Sequence, residues 1–157
     1  ERRYVMVSTE QPTSAEQLTS DAKGPRMDVL VYVQALGYRT FHEDELAGTN
    51  GLGLRLEGFQ LNINPPVPNL SLRYMAHLED TGDTPFKNEG EFAGTPGKRL
   101  EGFAIELTGD AAPRFDVVYM ANIEELGDTP LVTNGVFCGT RFESRRIERI
   151  LVRIDPK

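Results

Sequence analysis

Two short stretches of this chain set a carboxylate beside a hydroxyl in a way that suits hydrogen bonding to a polar ligand. They are Gly82-Asp83-Thr84-Pro85 and Gly127-Asp128-Thr129-Pro130. Asp and Thr side chains there could bond sugar hydroxyls. A turn explains the same residues, since Asp favours local backbone bonds and Pro fixes the backbone. The matching stretch nearer the N-terminus departs from this pattern and reads Tyr38-Arg39-Thr40-Phe41-His42. Two rings beside basic groups suit carbohydrate or protein contacts. The candidate binding residues are therefore Tyr38, Arg39, Phe41, His42, Asp83, Thr84, Asp128 and Thr129. The competing reading makes Tyr38 and Phe41 plain core rings of their own segment.

Catalytic groups are scarce. The two histidines, His42 and His77, occupy different places in their segments. No nucleophile–base–acid spacing, phosphate loop or His/Cys metal cluster can be read. The expectation is a protein that is not an enzyme, with no cofactor and no metal. His77 falls on the polar side of a strand and reads as solvated or locally hydrogen-bonded. Cys138 stands where other segments have Ala47 and Ala93, so it reads as a small apolar filler.

Three acids recur in one setting: Arg55-Leu56-Glu57, Arg99-Leu100-Glu101 and Arg146-Ile147-Glu148. Strand parity with the apolar residues after them points each Glu toward the end of the core. A carboxylate there needs a partner, and the preceding Arg shares its parity. The expected role is a structural clasp tying a loop to its strand. The alternative, a threefold ring of acids around a cation, is opposed by the arginines.

These groups belong to a unit that occurs three times. Gly37, Gly82 and Gly127 are 45 residues apart. Each is followed by a Gly-Thr pair: Gly48-Thr49, Gly94-Thr95 and Gly139-Thr140. The first strand of each unit alternates with period two. Leu72, Tyr74, Ala76 and Leu78 match Val117, Tyr119, Ala121 and Ile123, and Met27, Val29, Val31 and Val33. The last strands do the same through Phe59, Leu61, Ile63; Phe103, Ile105, Leu107; and Ile150, Val152, Ile154. The expected fold is all-β with three pseudo-equivalent repeats at about 27–66, 70–110 and 115–154, within one domain over 27–157. A β-prism is the expected architecture, because the outer strands are long and regular, with a β-trefoil as the alternative.

Residues 1–26 read as an N-terminal strand and linker. "RRYVMVS" could pair with an open edge, and the segment from Thr13 could form a short helical turn. A chain beginning at Glu1 without methionine reads as processed, or as part of something larger. Its 17 Lys and Arg against 24 Asp and Glu give a net charge of −7. That balance argues against nucleic acid as a partner. No apolar run approaches the roughly 20 residues of a transmembrane helix, so no membrane insertion is expected.

At "VYVQALGY", "YMAHLEDTG", "AGTNGLGLRLEGFQLNI" and "AGTPGKRLEGFAIEL" the sequence resembles the clostridial hydrophobic-W, or ChW, repeats. The resemblance covers about residues 27–154. One departure is that the chain has no tryptophan. The family's Gly-Trp position holds Tyr38, Asp83 and Asp128, and its second Trp position holds Phe41, Phe86 and Leu131. The resemblance implies a non-catalytic module, extracellular or at the cell surface, that binds a glycan or cell-surface receptor. A protein partner is the other expectation, as in the receptor-binding part of a larger toxin, phage or surface protein.

Overall fold

The computed structural model describes residues 24–157. The strand and helical turn expected before residue 24 lie outside the described residues. Repeat 1 forms β1 (Met27–Val33), β2 (Gly37–His42), β3 (Ala47–Gly48) and β4 (Leu56–Ile63). Repeat 2 forms β5 (Ser71–Leu78), β6 (Gly82–Asp83), β7 (Lys87–Asn88), β8 (Ala93–Gly94) and β9 (Leu100–Thr108). Repeat 3 forms β10 (Phe115–Ile123), β11 (Gly127–Asp128), β12 (Val132–Thr133), β13 (Cys138–Gly139) and β14 (Ile147–Pro156). A single 3-10 turn, Ala112–Arg114, joins the last two repeats.

Each repeat builds one antiparallel sheet around the pairing of its first and last strands: β1 with β4, β5 with β9, β10 with β14. The short strand between them does not stay at home. β8 of repeat 2 pairs with β4 of repeat 1, β13 of repeat 3 with β9 of repeat 2, and β3 of repeat 1 with β14 of repeat 3. Three sheets thus close in a cycle, the threefold all-β arrangement expected of a prism. We call the junctions seam 1–2, seam 2–3 and seam 3–1.

The period-two pattern has a direct cause. In β1, Met27, Val29, Val31 and Val33 are all fully buried, while the residues between them are half-buried. The three inner faces meet in one core. Tyr74, Phe59, Phe103 and Tyr119 run through it in that order, with ring centroids 5.1–5.4 Å apart from each to the next. Each buried tyrosine joins its own repeat to the preceding one through its hydroxyl. Leu61 N donates to Tyr74 Oη at 3.1 Å, and Tyr74 Oη donates to Glu91 O at 2.6 Å. Likewise Ile105 N donates to Tyr119 Oη at 3.3 Å, and that hydroxyl donates to Val136 O. Repeat 1 has Val29 at this place and no such bond.

The parity expected of Glu57, Glu101 and Glu148 is broken by a β-bulge. Leu56 pairs with Val33, but the next pair is Gly58 with Tyr32. The same skip separates Leu100 from Gly102 and Ile147 from Arg149. Each Glu is the extra residue of its bulge, so the apolar residue before it faces the core. The acids turn instead to the seams.

Candidate functional site

The polar end of each first strand faces a seam, and the hairpin that follows sets one residue opposite it. These pairs are Tyr32 with Tyr38, His77 with Asp83, and Asn122 with Asp128. At seam 1–2, Phe92 of the lent strand region lies against Gly58, where a Cβ would strike its ring. At seam 2–3, Phe137 lies in the same way against Gly102. At seam 3–1, Arg149 takes the glycine's place and Leu46 the phenylalanine's. One backbone thus presents three different surfaces.

The eight sequence candidates are distributed over these seams. β2 puts Tyr38 and His42 on its outer side. Phe41 pairs with Val29 and packs against the core from the other side. Tyr38 is 56% exposed and stacks edge-on with Tyr32 at 4.8 Å and Phe92 at 5.8 Å. The two rings of the 38–42 segment therefore do not form a common platform, and Tyr38 takes its companions from other strands. Arg39 is exposed and makes no ion pair among the described residues. His42 sits 3.3 Å from Asp28.

In repeats 2 and 3 the strand corresponding to β2 is split. Pro85 and Pro130 cannot donate to a ladder, and a residue is added relative to repeat 1. The hydroxyl of Thr84 fills the gap by accepting from Ala76 N at 3.1 Å, and Thr129 does so from Ala121 N at 3.1 Å. Both hydroxyls then donate to the carbonyl of the following proline. These two side chains complete the sheet. Asp128 accepts from Asn122 Nδ2 at 2.9 Å and is otherwise open to solvent.

Asp83 is the most heavily engaged of the eight. His77 Nδ1 lies 2.6 Å from its Oδ1, and Arg141 approaches with Nε at 3.2 Å and Nη2 at 2.9 Å. The Arg141 hydrogen bonds hold the Asp83 carboxyl below the usual carboxylate range, His77 adds to this, and partial burial opposes it. Arg141 also lies over the Phe137 ring at 3.6 Å. His77 is not solvated: its side chain is 5% exposed, and it is hydrogen-bonded locally to Asp83.

The repeated acids sit beside this cluster. Each accepts from its own arginine: Glu57 from Arg55 Nε at 2.9 Å, Glu101 from Arg99 Nε at 2.8 Å, Glu148 from Arg146 Nε at 2.7 Å. At seam 1–2 the clasp reaches across repeats, with Gly97 N donating to Glu57 Oε1 at 2.8 Å and Arg55 Nη2 donating to Gly97 O at 3.1 Å. At seam 2–3 the loop after β13 instead projects Phe142, 90% exposed, toward His77. A cleft of about 420 Å³ opens there, lined by His77, Glu79, Arg99, Glu101 and Phe142 among others.

Sequence reasoning missed the participation of Arg141 and Phe142 and set His77 aside. A readable signal existed for the loop: "RFESR" adds two residues relative to repeat 2 and places a phenylalanine among charged side chains. Cys138 is buried, with burial pushing its thiol pKa up. No group of metal-ligating residues occurs among the described residues. No helix among them is long and apolar enough to cross a membrane.

The fold and its seams define a closed all-β repeat module. Residues 32–65 and 77–109 match the family described as clostridial hydrophobic W, and these two repeats are ChW repeats. The third shows the same strand order, bulge and clasp. No curated protein and no solved structure matches the chain.

Proposed function

We propose that this domain is a non-enzymatic binding module that recognises carbohydrate at a cell surface. The observation that carries the reading is the contrast between constant scaffold and varied seams. The bulge, the Arg–Glu clasp and the lent strand occur three times. The residues facing outward at the same places are Tyr32 and Tyr38, then His77 and Asp83, then Asn122 and Asp128. At seam 1–2 the exposed ring of Tyr38 stands against Tyr32 and Phe92, and at seam 2–3 the exposed ring of Phe142 lines a cleft with His77, Arg99 and Glu101. An exposed ring beside a carboxylate and a guanidinium group, as at seam 2–3, suits the apolar face and hydroxyl edge of a sugar. The ChW match supports a modular role without naming a ligand.

A protein-binding role is the second reading, in a larger toxin, phage or surface protein. It is favoured by Leu36, Leu52 and Leu126, all exposed in the turns and loops at the end of the sheets where first strands finish and last strands begin. A glycan array followed by titration calorimetry separates the two. Saturable binding of defined glycans supports carbohydrate recognition. A silent array together with a stoichiometric protein complex supports the second reading.

A further inference from the structure

We propose that the cleft at seam 2–3 is a saccharide subsite in which neighbouring ligand hydroxyls donate to His77 Nε2 and Glu101 Oε1 while the sugar face lies on Phe142. The proposal rests on the carbohydrate reading above and adds a place and a chemistry to it. Its core is a pair of acceptors, on nearly sealed side chains in the cleft wall, that face each other with no donor between them.

Asp83 fixes the imidazole. Its carboxylate receives two N–H groups of Arg141 and can only accept from His77 Nδ1. The proton of a neutral His77 therefore sits on Nδ1, and Nε2 presents a lone pair. Glu101 Oε1 lies 3.6 Å from that nitrogen and makes no hydrogen bond among the described residues. The other oxygen, Oε2, is taken by Arg99. Both side chains are nearly sealed, at 5% and 6% exposure, yet both line the cleft. The corresponding oxygen in repeat 1, Glu57 Oε1, is satisfied by Gly97 N. Repeat 2 leaves open what repeat 1 closes.

Acceptor atoms that open into a cleft from nearly sealed side chains call for donors. Two adjacent hydroxyls of a sugar supply one O–H to each. The cleft volume of about 420 Å³ falls in the roughly 300–1,000 Å³ range of small-ligand sites. Phe142 completes the site. Its backbone φ is 63°, an uncommon conformation for a bulky residue, and its ring stands nearly perpendicular to His77 at 5.7 Å. Beside Arg99 the cleft holds the carboxylates of Glu79, Asp80 and Glu101, which disfavour an anionic ligand.

The charged groups facing His77 are Asp83 from β6, Glu101 and Arg99 at the start of β9, Glu79 from the turn after β5, and Arg141 from the loop after β13.

The test uses the full chain and a panel of neutral mono- and oligosaccharides. The strongest hit is titrated against the parent, Phe142→Ala, His77→Asn and, as a remote control, Phe86→Ala. Asn stands at the matching place in repeat 3 and keeps a bond to its aspartate, but it lacks Nε2. Loss of about tenfold or more in affinity for the first two, with the control unchanged, supports the subsite. A hit insensitive to both changes overturns the subsite and leaves carbohydrate recognition standing. No hit in the panel overturns both. Nitrogen-15 NMR of the His77 ring keeps the test alive if His77→Asn fails to fold. An Nδ1–H tautomer in the free protein, with Nε2 perturbed by sugar, supports the proposal, and an Nε2–H tautomer overturns it.

Discussion

Gly97 N donates to Glu57 Oε1 across 2.8 Å, joining residues 40 apart in the chain and in different repeats. The carboxylate is also held by Arg55, whose guanidinium reaches the Gly97 carbonyl. Two charge-assisted bonds thus fasten one repeat to the loop of the next, and a third, within repeat 1, holds Arg55 and Glu57 together. Glu57→Ala would leave buried donors unpaired and is expected to lower unfolding free energy by about 1–3 kcal/mol. Urea melts of Glu57→Ala and Glu148→Ala check the assignment. Glu148 is more exposed, so its loss should cost less. Equal effects would contradict the seam-tie account.

Tyr74 and Tyr119 make a second kind of tie. Tyr74→Phe keeps the ring but strips a partner from Leu61 N and Glu91 O. About 1–3 kcal/mol of lost stability is expected, read by denaturant titration.

The same hydroxyl gives an alkaline signature. Burial pushes the Tyr74 pKa up to about 12 from 10.0. The folded state therefore holds this proton more tightly than the unfolded chain. Its contribution is full below about pH 10 and drains away as pH rises toward about 12, by roughly 2–3 kcal/mol in all. Tyr74→Phe should show a correspondingly shallower loss of stability over that window. Parallel slopes for parent and variant would count against it.

Asp83 has the opposite sign. Its carboxyl is held below the usual range, so its contribution is present above the unfolded value of 3.8 and is lost as pH falls through the folded value. Asp83→Asn should flatten the acid limb of a stability profile measured by melts from pH 7 downward.

Gly102→Ala would drive a methyl into the Phe137 ring. Such overpacking costs about 1–3 kcal/mol. At seam 3–1 a side chain at this place, Arg149, coexists with the smaller Leu46. Phe137→Leu is accordingly expected to recover much of the loss in the double variant, as measured by a thermal melt cycle.

Much of the fold was legible because burial with period two leaves its mark residue by residue. Met27, Val29, Val31 and Val33 could be assigned to one face without knowing what they meet. The glutamates were placed by the same rule, and the rule failed where one inserted residue reverses every side that follows. The clasp was expected within a repeat; at seam 1–2 it crosses between repeats, since Gly97 is the partner of Glu57. The site was the least legible part. His77 comes from β5 of repeat 2, and Arg141 and Phe142 from one loop of repeat 3. Only the lending of β13 to repeat 2 brings them together. Phe41 and Tyr38 are neighbours in sequence but lie on opposite sides of an edge strand.

The cyclic lending of β3, β8 and β13 sets a rule for copy number. An open solenoid can gain or drop a unit because each contacts only its flanking copies. Here the first unit finishes the third, so no unit is terminal. Removing one would strand both a lent strand and the last strand that receives one, and a fourth would find β4, β9 and β14 each already paired on both sides. Enlarging such a domain by duplication would demand a ring of different radius, not a longer chain of the same parts.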